Sequence, residues 1–395
     1  MIDIDTSMAS STASLTQTAG KRVNVNSPKQ MRELFEVKKR GNNWFCGGFA
    51  LEKTDGGEAS ISADSLRSLS TLGNDKAKLV LGLRKMIKAR SFLKDHVLGH
   101  SINGMVFPNY NQARGENGLG TGTGRFSVSD PALQQIPARD KDIAAAVRSC
   151  FIPDDCNEWC CFDFSQFEQR WFAHYAKDEN VYRMYRDNPN TDFYQAMSDL
   201  TGLPRNPEYA GQANAKQMTL AAIFGLGAGK LAKEMGMPYE IEESRGKIYY
   251  KAGSAAIEVL GRFHSAVPGI RHHLESAQNI AKSRGYIKTI MGRHIRFPNG
   301  VGAHKAGGLV LQGSAADSLK LKMVKIHEII KGTGIKMLLS VHDEIDMSIP
   351  PHAKHLTDEI VRVYTTFDGV EGPLCRVPII CNAVYGKNWY EASSK

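Results

Sequence analysis

At 395 residues, with 42% hydrophobic and 23% charged side chains, the chain has ordinary globular composition and enough apolar material for more than one core. Wholesale disorder is excluded, and so is a membrane span, because the best apolar segment, around Leu309–Leu311, is interrupted by Gln312. Fifty lysines and arginines against 41 aspartates and glutamates leave a net charge of +9, which favours a polyanionic partner such as nucleic acid.

Residues 1–20 are rich in Ser, Thr and Ala with few large apolar groups, so they are expected to be disordered. The acidic start MIDID lacks the apolar core of a secretory signal. Ser27-Pro28 reads as an N-cap followed by proline at the first helical position, opening a helix through Phe35. Gly, Asn and Asp clusters over 41–57 mark loops or a hairpin. A second helix is predicted over 76–94, with Leu79, Leu83 and Met86 or Ile87 as its apolar stripe. Lys78, Arg84, Lys85, Lys88 and Arg90 form its charged face, either solvated or tracking phosphates. The glycine-rich run QARGENGLGTGTG, ending at Gly124, has no strand-then-helix setting and no lysine at P-loop spacing.

Trp159–Phe162 is a short buried-strand candidate. Helical patterns dominate 166–285, a hairpin follows in GYIKTIMGRHIRF, and another helix covers 304–331. Two strands, 336–341 and 345–349, are joined tightly at His342-Asp343-Glu344. The seven cysteines fit no paired spacing and are expected to be reduced thiols of a cytosolic protein, without zinc or disulfides. Strands separated by a long helical insertion predict α+β layers.

Asp163 ends an apolar strand, where a carboxylate is costly unless paired or coordinated. Asp343 and Glu344 sit at the tip of another. If those ends are neighbours, carboxylates converge from distant segments, an arrangement suited to two hard divalent cations that clamp a phosphoryl transfer. Between them, Lys216, Leu220 and Phe224 recur every four residues on one predicted helix face. A cation, an apolar contact and an aromatic plane are what a nucleoside triphosphate needs; taken alone, the same spacing also fits a core stripe with a snorkelling lysine.

Here the sequence resembles a known family. DFSQFEQR at 163–170 is similar to motif A of family A DNA polymerases, KQMTLAAIFG at 216–225 to motif B, and SVHDE at 340–344 to motif C. TGRFSVSDPALQQIP at 123–137, LQGSAAD at 311–317 and GKNWYEA at 386–392 also resemble family segments, all in the family's order over about 23–395. Leucine at 220 resembles the phage-type branch.

The resemblance implies an α+β right-hand polymerase fold with an antiparallel-sheet palm, helical fingers and a partial helical thumb. The implied boundaries are a tail at 1–20, thumb at 21–100, palm at 101–180, fingers at 181–303 and palm again at 304–395. VNVNSPKQMRELF at 23–35 is similar to a segment partway through the thumb. The chain is therefore expected to lack the exonuclease-like domain and the first thumb helices, which a second chain would carry if the polymerase is split.

The implied activity is DNA-templated extension of a primer with dNTPs, without proofreading, in the cytoplasm of a host cell if phage-encoded. Asp163, Asp343 and the Phe164 carbonyl would hold two Mg2+ ions, with Mn2+ as a substitute, and Glu344 would support them. Lys216 would contact the triphosphate and act as general acid. Leu220, Phe224, Gln166, Gln212 and Tyr194 would complete the nucleotide site, and Glu168 would exclude a ribose 2′-hydroxyl. Arg125, Gln134, Gln312, His342 and Arg293 would meet the primer–template.

Three departures stand out: Gln212 where the family usually has arginine, Tyr194 where it often has histidine, and Phe224 in place of tyrosine. Arg205 or Arg170 is the expected substitute cation. Two other readings fit parts of the pattern. A single-subunit RNA polymerase shares the carboxylates but not a bulky Glu168, and a non-catalytic primer–template binding chain would suit a shortened thumb.

Overall fold

The structure, a computed structural model, describes residues 2–54, 56–114, 118–138, 140–207, 212–244, 247–369, 372–373 and 375–393. Residues 115–117 of the glycine-rich run lie outside them. The chain divides into two compact units, 1–109 with 130–150, and 110–129 with 151–395.

The first unit contains α1 (Ile2–Ala19), α2 (Pro28–Leu34), a three-stranded meander of β1 (Lys38–Arg40), β2 (Asn43–Cys46) and β3 (Phe49–Leu51), then α3 (Ala63–Thr71), α4 (Asp75–Phe92) and α5 (Lys141–Arg148). The Ser27 hydroxyl accepts from Gln30 N and Pro28 opens α2, as the sequence predicts. Asn74 caps α4 by accepting from Ala77 N at 3.1 Å. Val80 and Leu83 of α4 are buried with Leu66, Leu69 and Met31 in this unit's core.

Residues 2–19 correct the expectation of disorder. Leu15 is 1% exposed, and small side chains let α1 lie along α4. Asp3 and Asp5 stand in its first turn, where the helix dipole favours them, and Arg90 of α4 donates to Asp5 at 2.7 Å. Two cations assigned to a charged face are also internal fasteners. Arg84 donates to the carbonyls of Val25 and Ile61, at 2.9 and 2.8 Å, and Lys85 pairs with Asp140 at 3.1 Å.

The second unit is built on a four-stranded antiparallel sheet. Its members are β4 (Glu158–Phe164), β9 (Lys336–Val341), β10 (Glu344–Ile349) and β11 (Cys381–Gly386), in spatial order β9-β10-β4-β11. Between β4 and β9 the chain runs through α6 (Phe167–Ala176), α7 (Glu179–Asp187), α8 (Phe193–Thr201), α9 (Ala215–Ile223) and α10 (Ala228–Glu234). A hairpin follows, β5 (Tyr239–Ser244) and β6 (Lys247–Ala252), which the helical reading of 166–285 misses. Next come α11 (Ser254–Ala266), α12 (Gly269–Arg284), the predicted hairpin β7 (Tyr286–Lys288) and β8 (His294–Arg296), and α13 (Ala306–Ile330). The helix α14 (Thr357–Thr365) precedes β11, and α15 (Trp389–Ser393) follows it. Phe162 and Met347 of the sheet share one core with Trp171 of α6, Met218 of α9 and Leu311 of α13.

Candidate active site

The pleat of β4 places Cys161 and Asp163 on one face and Phe162 and Phe164 on the other. The phenylalanine face is sealed: Phe164 stacks on Phe167 at 3.8 Å and on Tyr364 at 4.0 Å between ring centroids. Antiparallel register sets Glu344 opposite Asp163 and Asp346 opposite Cys161, so all four side chains share a face. Asn382 of β11 flanks Asp163 from the other side.

Asp343 occupies the turn between β9 and β10, beside His342, whose φ of 57° lies in the left-handed region. Asp163 and Asp343, 180 residues apart in sequence, thus meet at one end of the sheet. Burial pushes the Asp343 carboxyl up to about 7, the Arg125 guanidinium pulls it back, and the charges of Glu168 and Asp163 add to the rise. The Tyr364 hydroxyl donates to the Asp343 carbonyl at 3.0 Å, fixing the turn from below.

Arg125 lies among these acids. It pairs with Glu168 of α6 and stands 3.9 Å from Asp343 Oδ1. Its loop is held in turn by Arg293, which donates to the Thr123 carbonyl and, at 2.7 Å, to Asp317 of α13. Gly124, with φ 78°, makes room for that guanidinium, since a Cβ there would lie 2.7 Å from it. Arg293 and Arg125, both expected at the primer–template, therefore make intramolecular contacts. Gln312 is half-buried on α13 and His342 is exposed, while Gln134 belongs to the other compact unit.

The groups expected around a nucleotide gather near α9. Lys216, in its first turn, stands 5.5 Å from the centre of the Tyr194 ring, and Arg205 lies 6.0 Å from the same ring. Asn214 caps α9 by accepting from Gln217 N at 2.9 Å, and its side-chain amide donates to the Gln212 carbonyl at 3.0 Å. The Tyr194 hydroxyl accepts from Gln169, and burial pushes it well up. Leu220 and Phe224 line a cleft of about 550 Å³ with Lys230, His304 and Lys305. Gly308 of α13 is required there, because a Cβ would meet the Phe224 ring at 2.6 Å.

Two expectations change. Gln166 turns its amide inward: Oε1 accepts from Phe193 N at 2.9 Å and Nε2 donates to the Thr191 carbonyl. Arg170 is no substitute phosphate cation. It is wholly buried over Tyr185 and donates to the carbonyls of Ser165, Pro378 and Pro189. Sequence reasoning also passed over the tryptophans that reach this face, Trp159 and Trp389.

The donors suit hard cations at Asp163 and Asp343, which offer half-buried carboxylate oxygens. Cys161, Glu344 and Asp346 also place ligand atoms within 4.8 Å of one another. That group suits such ions less well. Burial, followed by the charges of Glu344, Asp346 and Asp163, pushes the Cys161 thiol far up and keeps it protonated.

Residues 2–391 match the model of DNA polymerase family A, and the chain belongs to that family. It is 42% identical to the DNA polymerase DpoZ of Salmonella phage PMBT28, over 95% of this chain and 62% of that protein. It is 30% identical to the thermostable DNA polymerase I of Thermus aquaticus, over 95% of this chain and 42% of that one. The chain thus spans less than two thirds of the length of these relatives. The POL domain of Pol1 from M. smegmatis, solved in complex with DNA primer–template and dNTP, matches at a TM-score of 0.76. That likeness covers 99% of this chain and 66% of that chain at 22% identity, and it shows an α+β polymerase fold.

Proposed function

We propose that this chain is a DNA-templated DNA polymerase that extends a primer 3′-hydroxyl with deoxynucleoside triphosphates and releases pyrophosphate. One observation carries the reading: Asp163 and Asp343 meet at one end of the β9-β10-β4-β11 sheet, in a chain of this family. Asp163, Asp343 and the Phe164 carbonyl are the groups to hold two Mg2+ ions, or Mn2+ in their place. Bound there, such ions lower the pKa of the attacking hydroxyl and offset the charge of the leaving pyrophosphate.

Lys216 binds the triphosphate and protonates the leaving pyrophosphate. Leu220 and Phe224 present the surface on which the nascent base pair rests. Glu168, clamped by Arg125, occupies the space of a ribose 2′-hydroxyl. Tyr194, Gln212 and Gln166 shape the nucleotide side, Gln166 by holding the backbone at 191–193. Gln134, Gln312 and His342 serve the primer–template. On this reading 101–180 and 304–395 are palm, 181–303 fingers and 21–100 thumb, and the work is phage DNA replication in a host cytoplasm, alone or with a second chain.

Primer extension decides the matter. Asp343→Asn should lower the extension rate at least about a thousandfold while duplex DNA is still bound. Near-normal extension by that variant sinks the mechanism.

A further inference from the structure

The closing segment GKNWYEA is built to deliver one indole. Gly386 ends β11 where a Cβ would lie 2.5 Å from Ala392 N, so only glycine lets the chain fold back into α15. Asn388 Oδ1 accepts from Glu391 N at 2.9 Å, and Glu391 Oε2 accepts from Lys387 N at 2.9 Å, closing the turn from both sides. Trp389 N donates to the Phe151 carbonyl at 3.0 Å. The Trp389 side chain is wholly buried, and its Nε1 donates to Glu344 Oε1 at 3.1 Å.

A second indole stands beside it. Trp159 lies 6.3 Å from Trp389 between ring centroids, inclined by 18°, and donates from Nε1 to Asp346 Oδ1 at 2.7 Å. Phe151 packs edge-on against Trp389 at 5.5 Å. Two carboxylates on one face of β10 are therefore each held by a neutral donor set in a rigid aromatic wall. Glu344 is also the cross-strand neighbour of Asp163 and adjoins Asp343 in the chain.

Resting on the polymerase reading, we propose that Trp389 is a positioning residue that acts through Glu344 on the ion-binding carboxylates. Held opposite Asp163, the Glu344 carboxylate adds its negative charge to the field that attracts a cation there; left mobile, it would contribute less. An indole N–H holds Glu344 in place without cancelling its charge. The restraint is mutual, because a buried N–H without its acceptor is costly.

Trp389→Phe keeps an aromatic ring, though a smaller one, and removes the donor. Mn2+ titration of the chain without DNA, followed by electron paramagnetic resonance, should show affinity about tenfold weaker than wild type. In primer extension the half-saturating Mg2+ concentration should rise by a similar factor, while KM for the nucleotide stays within about twofold. Placed in a Glu344→Gln background, Trp389→Phe should add nothing further to the Mn2+ change.

A lower melting temperature with unchanged Mn2+ affinity would show a packing role only and overturn the proposal. So would losses that add in the double variant. If Trp389→Phe does not fold, Glu344→Gln alone decides, since wild-type Mn2+ affinity there also overturns it. A wild-type chain that binds Mn2+ but never extends primers would instead sink the polymerase reading, leaving the ion-site inference standing.

Discussion

The end of the sheet and the first turn of α9 hold their charges by opposite means. Asp163, Asp343 and Glu344 are placed by backbone: strand register, a two-residue turn and buried aromatic supports fix where each carboxylate starts. Lys216, Tyr194 and Arg205 are placed by one another, through a ring with two cations near it and an ion pair to Asp192. The backbone contributes Ala215 N donating to the Pro204 carbonyl at 2.8 Å and Lys216 N to the Arg205 carbonyl at 3.2 Å. A charge lost from the sheet end leaves a rigid site that cannot compensate. Losses at α9 should be graded, because long side chains re-aim.

The sharpest test of that contrast is Lys216→Ala. A charge-assisted contact to phosphate contributes about 1.5–3 kcal/mol, so kcat/KM for the nucleotide should fall about ten- to hundredfold. Lys216→Arg should recover much of the KM but not the kcat, since arginine does not give up its proton. Equal recovery of both in steady-state kinetics would remove the general-acid role and leave Lys216 as a binding group.

Glu168 lies between the two regimes, on α6 but clamped by Arg125. Glu168→Ala should reduce discrimination against ribonucleotides by about tenfold or more, as expected when a group that excludes a hydroxyl is removed. Competition between dNTP and rNTP on one primer measures this. Unchanged sugar selectivity would mean that the Arg125 pair serves only to hold the 121–125 loop.

The same contrast separates what sequence can and cannot reveal. Asp163 and Asp343 were legible because a carboxylate ending an apolar run is physically odd, and oddity survives in one dimension. Helix α1 was not legible: its Ser, Thr and Ala are what disorder also favours, and its stability rests on Leu15 and a partner helix far along the chain. The β5–β6 hairpin was missed because YEIEES alternates with period two only over its first four residues, inside long helical surroundings. Arg170 read as a spare cation, and nothing local shows that three carbonyls, from residues 165, 189 and 378, would converge on it. Trp389 was visible as part of a motif, but its acceptor lies 45 residues upstream, on strand β10.

Arg205 gives the smallest expected effect and the finest probe of the α9 cluster. Its Nε donates to Asp192 Oδ2 at 2.7 Å, while Asp192 Oδ1 caps α8 by accepting from Tyr194 N at 3.0 Å. The guanidinium is therefore already paired, and about a third of each partner is exposed, so solvent screens much of its charge. Its contribution to triphosphate binding should accordingly be modest, with Arg205→Ala raising KM for the nucleotide about three- to fivefold and leaving kcat nearly unchanged. Adding Gln212→Arg to that variant should restore the KM, because it supplies a cation on the approach to the same helix end. If Arg205→Ala changes the melting temperature but not KM, the residue only braces α8 against the 204–205 segment, and Lys216 carries the phosphate charge without its help.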